Sequence, residues 1–361
     1  MRRFLPLLFL LIVVGCGSAP TEPPVPPPPT RSAALAADGA RLPSGSLIMV
    51  QNNQRIALLP EGRSLPISDA QFGVRGAPNG RYGVAFAPNG SAFDLLLIDY
   101  GQTPPEMREI AEGQGLINPV VTWQADSSGF AFYDFPLFGG LRGTLNTLYY
   151  YRISDGQSRA LLPSESISGG RAAALAFSPN GIYLLYAVLS EDTEAIGAQS
   201  GAGYLLNLLG GQPIALAADA LLGFSGWLGD SSGFLTVRDD PQSGRSIAAL
   251  HRLTQLATPI RLTPEDGDDT LIASAPDGSR LVVASRGESG GLLSLLSADG
   301  SGRQVLHRLA VGQSISALLW AEAETIYFSV SSSEGDQTWR MAPDGSTPTQ
   351  IAEGVLQSVV R

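Results

Sequence analysis

The chain has 361 residues, 44% of them apolar and 16% charged, with 42 glycines and 26 prolines. Ample core material, few charges and many turn formers suit short strands better than long charge-laced helices. All 23 basic residues are arginine, which excludes Schiff-base lysine, P-loop lysine and Ser-Lys chemistry, while only two histidines exclude a multi-histidine metal site. A net charge of −10 argues against nucleic acid as a partner.

In chain order, the first element is Met1-Arg2-Arg3 followed by apolar residues 4–15. Two positive charges ahead of about a dozen apolar residues read as an export signal, since a bilayer-spanning helix needs ~20. The segment ends Val13-Val14-Gly15-Cys16, and Cys16 is the single cysteine of the chain. These four positions resemble the lipobox of bacterial lipoproteins. The resemblance implies cleavage before Cys16, a diacylglyceryl group on its thiol and an acyl anchor in a bacterial membrane. Gly17 follows instead of aspartate. The family rule then implies the outer membrane where there are two, and otherwise the outer face of the cell membrane. The alternative is an ordinary cleaved signal with an incidental cysteine. Residues 16–43 read as a lipidated cysteine and a disordered linker, because the run Pro20-Thr-Glu-Pro-Pro-Val-Pro-Pro-Pro-Pro29 favours extended polyproline geometry.

From residue 44 to 361 one phrase recurs: an apolar strand, a Pro-Asp/Asn-Gly or Asp-Ser-Ser-Gly turn, and a second apolar strand. Its turns centre on Asn79, Asp126, Asn180, Asp230 and Asp277, with a degenerate copy at Ala323. The gaps are 47, 54, 50, 47 and 46 residues, a mean near 49. Each period holds two further strand-like segments, such as residues 203–207 and 212–216. Four short strands per 45–50 residues are the pattern of β-propeller blades. The phrase resembles the WD40-like repeats of TolB-type β-propellers over residues 67–354. Asp or Asn favours the tight turn, and Gly supplies positive φ. Trp123, Phe177, Trp227 and Trp320 form a column expected to pack between blades. Gly76 and Ser274 hold that place in the other two copies, where packing is expected to be looser.

The expected fold is all-β, a propeller of four-stranded blades after a disordered tether. Residues 44–361 contain about 6.5 periods, which leaves six and seven blades open. Seven is favoured, because unpaired strands at 46–50, 55–59 and 355–360 would close a blade from both ends of the chain and remove exposed edges.

No constellation for catalysis stands out. Gly287-Glu288-Ser289-Gly290-Gly291 fits Gly-x-Ser-x-Gly, but it lies between two strands of one blade and reads as a hairpin, where a nucleophile elbow needs strand, turn and helix. Asp266-Gly267-Asp268-Asp269 lacks calcium-loop spacing and reads as a solvated inter-blade turn. His251 and His307 read as structural. Some serine peptidases join a TolB-like propeller to a hydrolase domain, and the propeller here runs to Arg361. The chain is therefore expected not to be an enzyme and to need no metal or cofactor.

Two long insertions fall between second and third strands of adjacent blades. One carries Phe135, Leu137, Phe138, Leu141 and Arg142, the candidate partner-binding loop, and the other carries Glu191, Asp192 and Glu194. Exposed, they make an apolar anchor beside an acidic patch at the channel mouth. Folded back, the first buries its own aromatics. The expected function is a lipid-anchored extracytoplasmic scaffold that binds an unknown envelope protein. The alternatives are a small-ligand or glycan receptor and, further off, a metal-dependent propeller enzyme.

Overall fold

The strands arrange as seven antiparallel sheets in sequence order. The computed structural model describes residues 31–32, 45–52, 54–66, 75–79, 81–89, 92–102, 104–110, 119–134, 148–162, 170–190, 201–217, 220–221, 223–287 and 289–359. The short strand β1 (Arg31–Ser32) comes first, followed by β2 (Leu47–Gln51), β3 (Gln54–Leu58) and β4 (Ser64–Pro66). Blade 2 holds β5 (Arg75–Gly76), β6 (Tyr82–Asn89), β7 (Ala92–Asp99) and β8 (Glu106–Glu109). Blade 3 holds β9 (Pro119–Trp123), β10 (Gly129–Asp134), β11 (Leu148–Arg152) and β12 (Gln157–Leu162). Blade 4 holds β13 (Gly170–Phe177), β14 (Tyr183–Ser190), β15 (Gly201–Asn207) and β16 (Ile214–Ala215). Blade 5 holds β17 (Phe224–Trp227), β18 (Gly233–Asp239), β19 (Ser246–Arg252) and β20 (Ile260–Arg261). Blade 6 holds β21 (Asp269–Ser274), β22 (Arg280–Gly287), β23 (Gly290–Ser297) and β24 (Gln304–Arg308). Blade 7 holds β25 (Ser314–Glu322), β26 (Thr325–Ser332), β27 (Gly335–Met341) and β28 (Thr349–Glu353), and β29 (Val355–Val359) follows.

Blade 1 closes the ring from both ends of the chain, with strand order β29-β2-β3-β4. Val359 faces Leu47 and Val355 faces Val50. This is the seven-bladed closure expected from the three unpaired segments, and it excludes six blades. First strands of successive blades touch (β9 with β13, β17 with β21, β21 with β25, β25 with β29), so they stand around a common axis. Beyond blade 1, one sheet gains an extra strand: β1 pairs with β8 on the outer edge of blade 2, within the stretch read as linker.

Blades stack face to face, so a central strand is covered on both sides and can be apolar throughout. Leu281, Val282, Val283 and Ala284 in β22 are all fully buried. The core is accordingly divided among the joints. Leu235 and Leu250 of blade 5 pack with Leu281 and Val283 of blade 6. Val282 and Leu293 of blade 6 pack with Trp320 and Phe328 of blade 7. Met49 and Leu356 of blade 1 pack with Leu319 and Tyr327 of blade 7. Among the described residues, blades 1 and 2 form separate clusters around Ala57 and Leu96.

Because each blade is an antiparallel meander, its first-to-second and third-to-fourth turns lie at one end, here called the turn end. The second-to-third loops and the inter-blade connections lie at the other, the open end. Turn-end geometry follows from short polar side chains that cap their own turns. Asn79, Asp126, Asn180, Asp230 and Asp277 each accept the backbone N–H two residues on, at 2.9–3.0 Å. Asp99, Asp155, Asn207, Asp299 and Asp344 do the same in the third-to-fourth turns.

The role expected of glycine needs revision. Gly181 and Gly278 do hold positive φ, at 69° and 72°. In the Asp-Ser-Ser-Gly turns that conformation falls on Ser127 (φ 61°) and Ser231 (φ 64°). Gly129 is required for space instead: a Cβ there would stand 2.4 Å from the Tyr150 hydroxyl and 2.5 Å from the Tyr151 carbonyl oxygen.

Candidate functional site at the open end

The residues singled out in the sequence divide sharply. Cys16, Phe135, Leu137, Phe138, Leu141 and Arg142 lie outside the described residues, as do Glu191, Asp192 and Glu194. The strands that bracket the two insertions are described. The first leaves β10 after Asp134 and returns at Leu148; the second leaves β14 after Ser190 and returns at Gly201. Both therefore begin and end at the open end, on neighbouring blades 3 and 4.

The aromatic column stands at the blade joints. Trp123 Nε1–H donates to the Arg75 carbonyl of blade 2 at 2.9 Å, and Trp227 Nε1–H to the Ala176 carbonyl of blade 4 at 3.4 Å. Phe177 meets the edge of Tyr150 from blade 3, with centroids 6.1 Å apart. Trp320 is buried beneath the Arg280 guanidinium of blade 6, 5.2 Å from the ring centroid. Ser274 takes the aromatic's place with a hydrogen bond, its Oγ accepting Gly229 N–H at 3.2 Å.

An open cleft of about 940 Å³ lies between blades 5 and 6. It is framed by the start of β17, the end of β18, the start of β19, the start of β21 and the end of β22. Those strand ends all belong to the open end. Phe224, Val237, Ile247 and Leu271 supply apolar wall, and Arg238, Asp239, Asp240 and Arg286 supply charge.

Local hydrogen bonds hold most of these groups. Asp239 accepts the Ser246 hydroxyl at 2.8 Å. Asp240 caps its own hairpin, accepting Ser243 Oγ–H at 2.7 Å and Gln242 N–H at 3.1 Å, and these bonds hold its carboxyl below the usual range. Asp268, behind the cleft, accepts Ser246 N–H at 2.7 Å and pairs with Arg286 at 3.5 Å. Arg238 is exposed and makes no hydrogen bond or ion pair with the described residues.

Beside the cleft is an ion pair that the sequence did not reveal. Asp269 is fully buried and accepts from both terminal nitrogens of Arg303, at 3.1 and 2.6 Å, and from the Ser285 hydroxyl at 2.5 Å. Arg303 also donates to the Leu262 carbonyl, which ties blade 6 to the last strand of blade 5. The Asp266–Asp269 stretch was expected to be a solvated turn, and at Asp269 that is corrected. Its partner lies 34 residues on, a distance at which sequence offers no signal.

His251 is buried in β19, stacked on Phe234 with centroids 4.5 Å apart, and its Nε2 lies 3.1 Å from Thr236 Oγ1. Burial, helped by the Arg238 charge, lowers its pKa to about 4. His307 sits half-buried in β24 near Phe328. Gly287 pairs with Gly290 across a hairpin, so the Gly-x-Ser-x-Gly stretch has a strand on both sides. No group of three or more His, Cys, Asp or Glu among the described residues is placed to hold a metal. No helix among them is long and apolar enough to cross a membrane.

Solved structures share this fold at low sequence identity. A prolyl endopeptidase superposes with a TM-score of 0.60 at 15% identity, over 90% of this chain and 52% of its own. Prolyl oligopeptidase B from Galerina marginata gives 0.54 at 13% identity, over 86% and 49%. A TolB from Agrobacterium tumefaciens gives 0.46 at 15% identity, over 70% and 86%. The chain thus spans about half the length of the two peptidases. No family model matches it, and no curated protein does.

These neighbours correct the expectation that the chain is not an enzyme. The fold it shares with both peptidases occurs inside enzymes, and fold and chemistry are separable: reacting groups need not sit in the repeats. The lack of a recognisable catalytic set in the repeats therefore does not make the chain non-catalytic.

Proposed function

We propose that this chain is a lipid-anchored, extracytoplasmic β-propeller of the TolB-like kind that binds a protein of the bacterial cell envelope through its open end. The anchor is the lipid on Cys16, and the face includes Phe135, Leu137, Phe138, Leu141 and Arg142. One observation carries the face assignment. The strand ends that bracket both long insertions and those that frame the cleft belong to the same end of four consecutive blades, 3 to 6. At the turn end, by contrast, ten turns are capped by their own Asp or Asn side chain. A rigid ring with one regular and one variable end suits recognition by loops on a scaffold.

The test is capture of the lipidated protein from native membranes, beside a chain with residues 137–141 replaced by Gly/Ser and a Cys16→Ala chain. A partner enriched by the native chain and lost with the loop replacement supports the binding face. Equal recovery from both overturns it. Cys16→Ala is expected to move the protein out of the membrane fraction, and an unchanged distribution overturns the anchor.

A second reading rests on the fold similarity to the prolyl peptidases over 90% and 86% of this chain. In it, the propeller serves peptidase chemistry and its ligand is a proline-containing peptide. Hydrolysis of such a peptide by purified protein, lost on denaturation, supports this reading.

A further inference from the structure

We propose that the cleft between blades 5 and 6 is a binding site for a carboxylate-bearing ligand with an apolar arm, anchored by Arg238. At about 940 Å³ the cleft has the capacity of a small-molecule or short-peptide site. Its hydrogen-bonding groups show which chemistry is left for a ligand. Asp239 is engaged by Ser246, and Asp240 by Ser243 and Gln242. The Ser225 hydroxyl donates to the Ile272 carbonyl at 2.8 Å, and the Thr270 hydroxyl to the Ala284 carbonyl at 3.3 Å. Arg286 shares Asp268. Each of these groups closes a loop or ties a strand.

Arg238 does not. Its backbone is fixed in the ladder opposite Ile247, while its guanidinium, with five N–H donors, has no acceptor among the described residues. The complement of a rigid planar fork of donors is a planar pair of acceptors, which is a carboxylate. A singly charged carboxylate also suits the site better than a doubly charged phosphate. Asp239 and Asp240 stand in the same walls, and like-charge repulsion rises with the ligand's charge. Phe224 and Leu271 then offer apolar surface to the rest of the ligand.

Such a carboxylate has two sources, a free organic acid or the C-terminus of a peptide. The site does not depend on the envelope reading, since its residues lie on blades 5 and 6 and not on the insertions of blades 3 and 4. Titration calorimetry on the full chain in detergent tests it with three probes: 3-phenylpropionate, N-acetyl-Ala-Phe with a free C-terminus, and the C-terminal amide of that dipeptide. Binding of either acid, at least tenfold weaker binding of the amide, and at least tenfold loss in Arg238→Ala are expected. Preference for phenylpropionate identifies a free acid, and preference for the dipeptide identifies a chain terminus. Arg63→Ala on blade 1 is the matched control and is expected to bind as the native chain does. A thermal melt confirms that the Arg238→Ala chain is folded. No binding of either acid at millimolar concentration, equal affinity for acid and amide, or no effect of Arg238→Ala overturns the proposal.

Discussion

The two ends of the propeller are built from the same strands by opposite rules. At the turn end, ten aspartate and asparagine side chains cap their own turns in the same way. Neighbouring turns are also clamped to one another. Asn79 N–H donates to Ser127 Oγ of the next blade, and Asn180 N–H to Ser231 Oγ, both at 3.0 Å. The alternation of Pro-Asn-Gly with Asp-Ser-Ser-Gly in the sequence is therefore a donor–acceptor alternation between blades. At the open end that cap recurs at Asp240, but loop length varies from blade to blade. Gly287 and Gly290 close one hairpin with two residues between them, whereas Asp134 and Leu148 are separated by 13. Repetition marks the part that holds the ring, and variation marks the part free to acquire ligands.

Substitutions can break this contrast or sharpen it. The largest loss is expected just beneath the open end, where Arg303→Ala strands the fully buried Asp269 charge. It should lower unfolding stability by about 3–5 kcal/mol, read from denaturant midpoints. An effect within 0.5 kcal/mol would mean that the open end contributes nothing to the joint of blades 5 and 6.

Acid should act nearly as strongly, through His251. Its folded pKa of about 4 lies below the ordinary 6.5, so the unfolded chain binds the proton more readily. The stability this neutral histidine contributes is full above pH 6.5 and is lost as pH falls through 6.5 toward 4 and below. The loss amounts to about 3 kcal/mol at acid pH. His251→Phe should flatten the slope of stability against pH between 4 and 6.5, and an unchanged slope would assign acid sensitivity elsewhere.

Ser231→Ala removes the clamp on the Asn180 N–H and should cost roughly 1–3 kcal/mol. Combined with Ser127→Ala at the distant joint of blades 2 and 3, the losses should add. Strong non-additivity in the double variant would show that the clamps act through the whole ring. Least affected should be the exposed open-end hairpin. Gln242→Ala is expected to change stability by less than about 0.5 kcal/mol.

Much of the scaffold was legible because a propeller writes its period into the chain. The turn centres at Asn79, Asp126, Asn180, Asp230 and Asp277 located five blades, and Ala323 the sixth. The unpaired apolar runs near Leu47, Ile56 and Val355 supplied the closing blade. Less of the candidate site was legible. Arg238 resembles any other surface arginine in sequence, and only the hydrogen bonds around it show that it has no acceptor among the described residues. Asp269 stands in an acidic run in the sequence, yet its burial depends on Arg303 arriving from a later turn. The acceptor role of Ser127 and Ser231 is visible only when two blades lie side by side.

By itself, the sequence determined the all-β class, the four-stranded repeat and the restriction to arginine as the basic residue, since composition and local periodicity are properties of neighbouring residues. The tertiary structure decided what joins the blades. The serine clamps link residues 48 and 51 apart, about one period, and the Asp269–Arg303 pair links residues 34 apart. Contacts of that kind form only once the ring has set which face of each blade meets the next. The cleft between blades 5 and 6 follows from the same geometry.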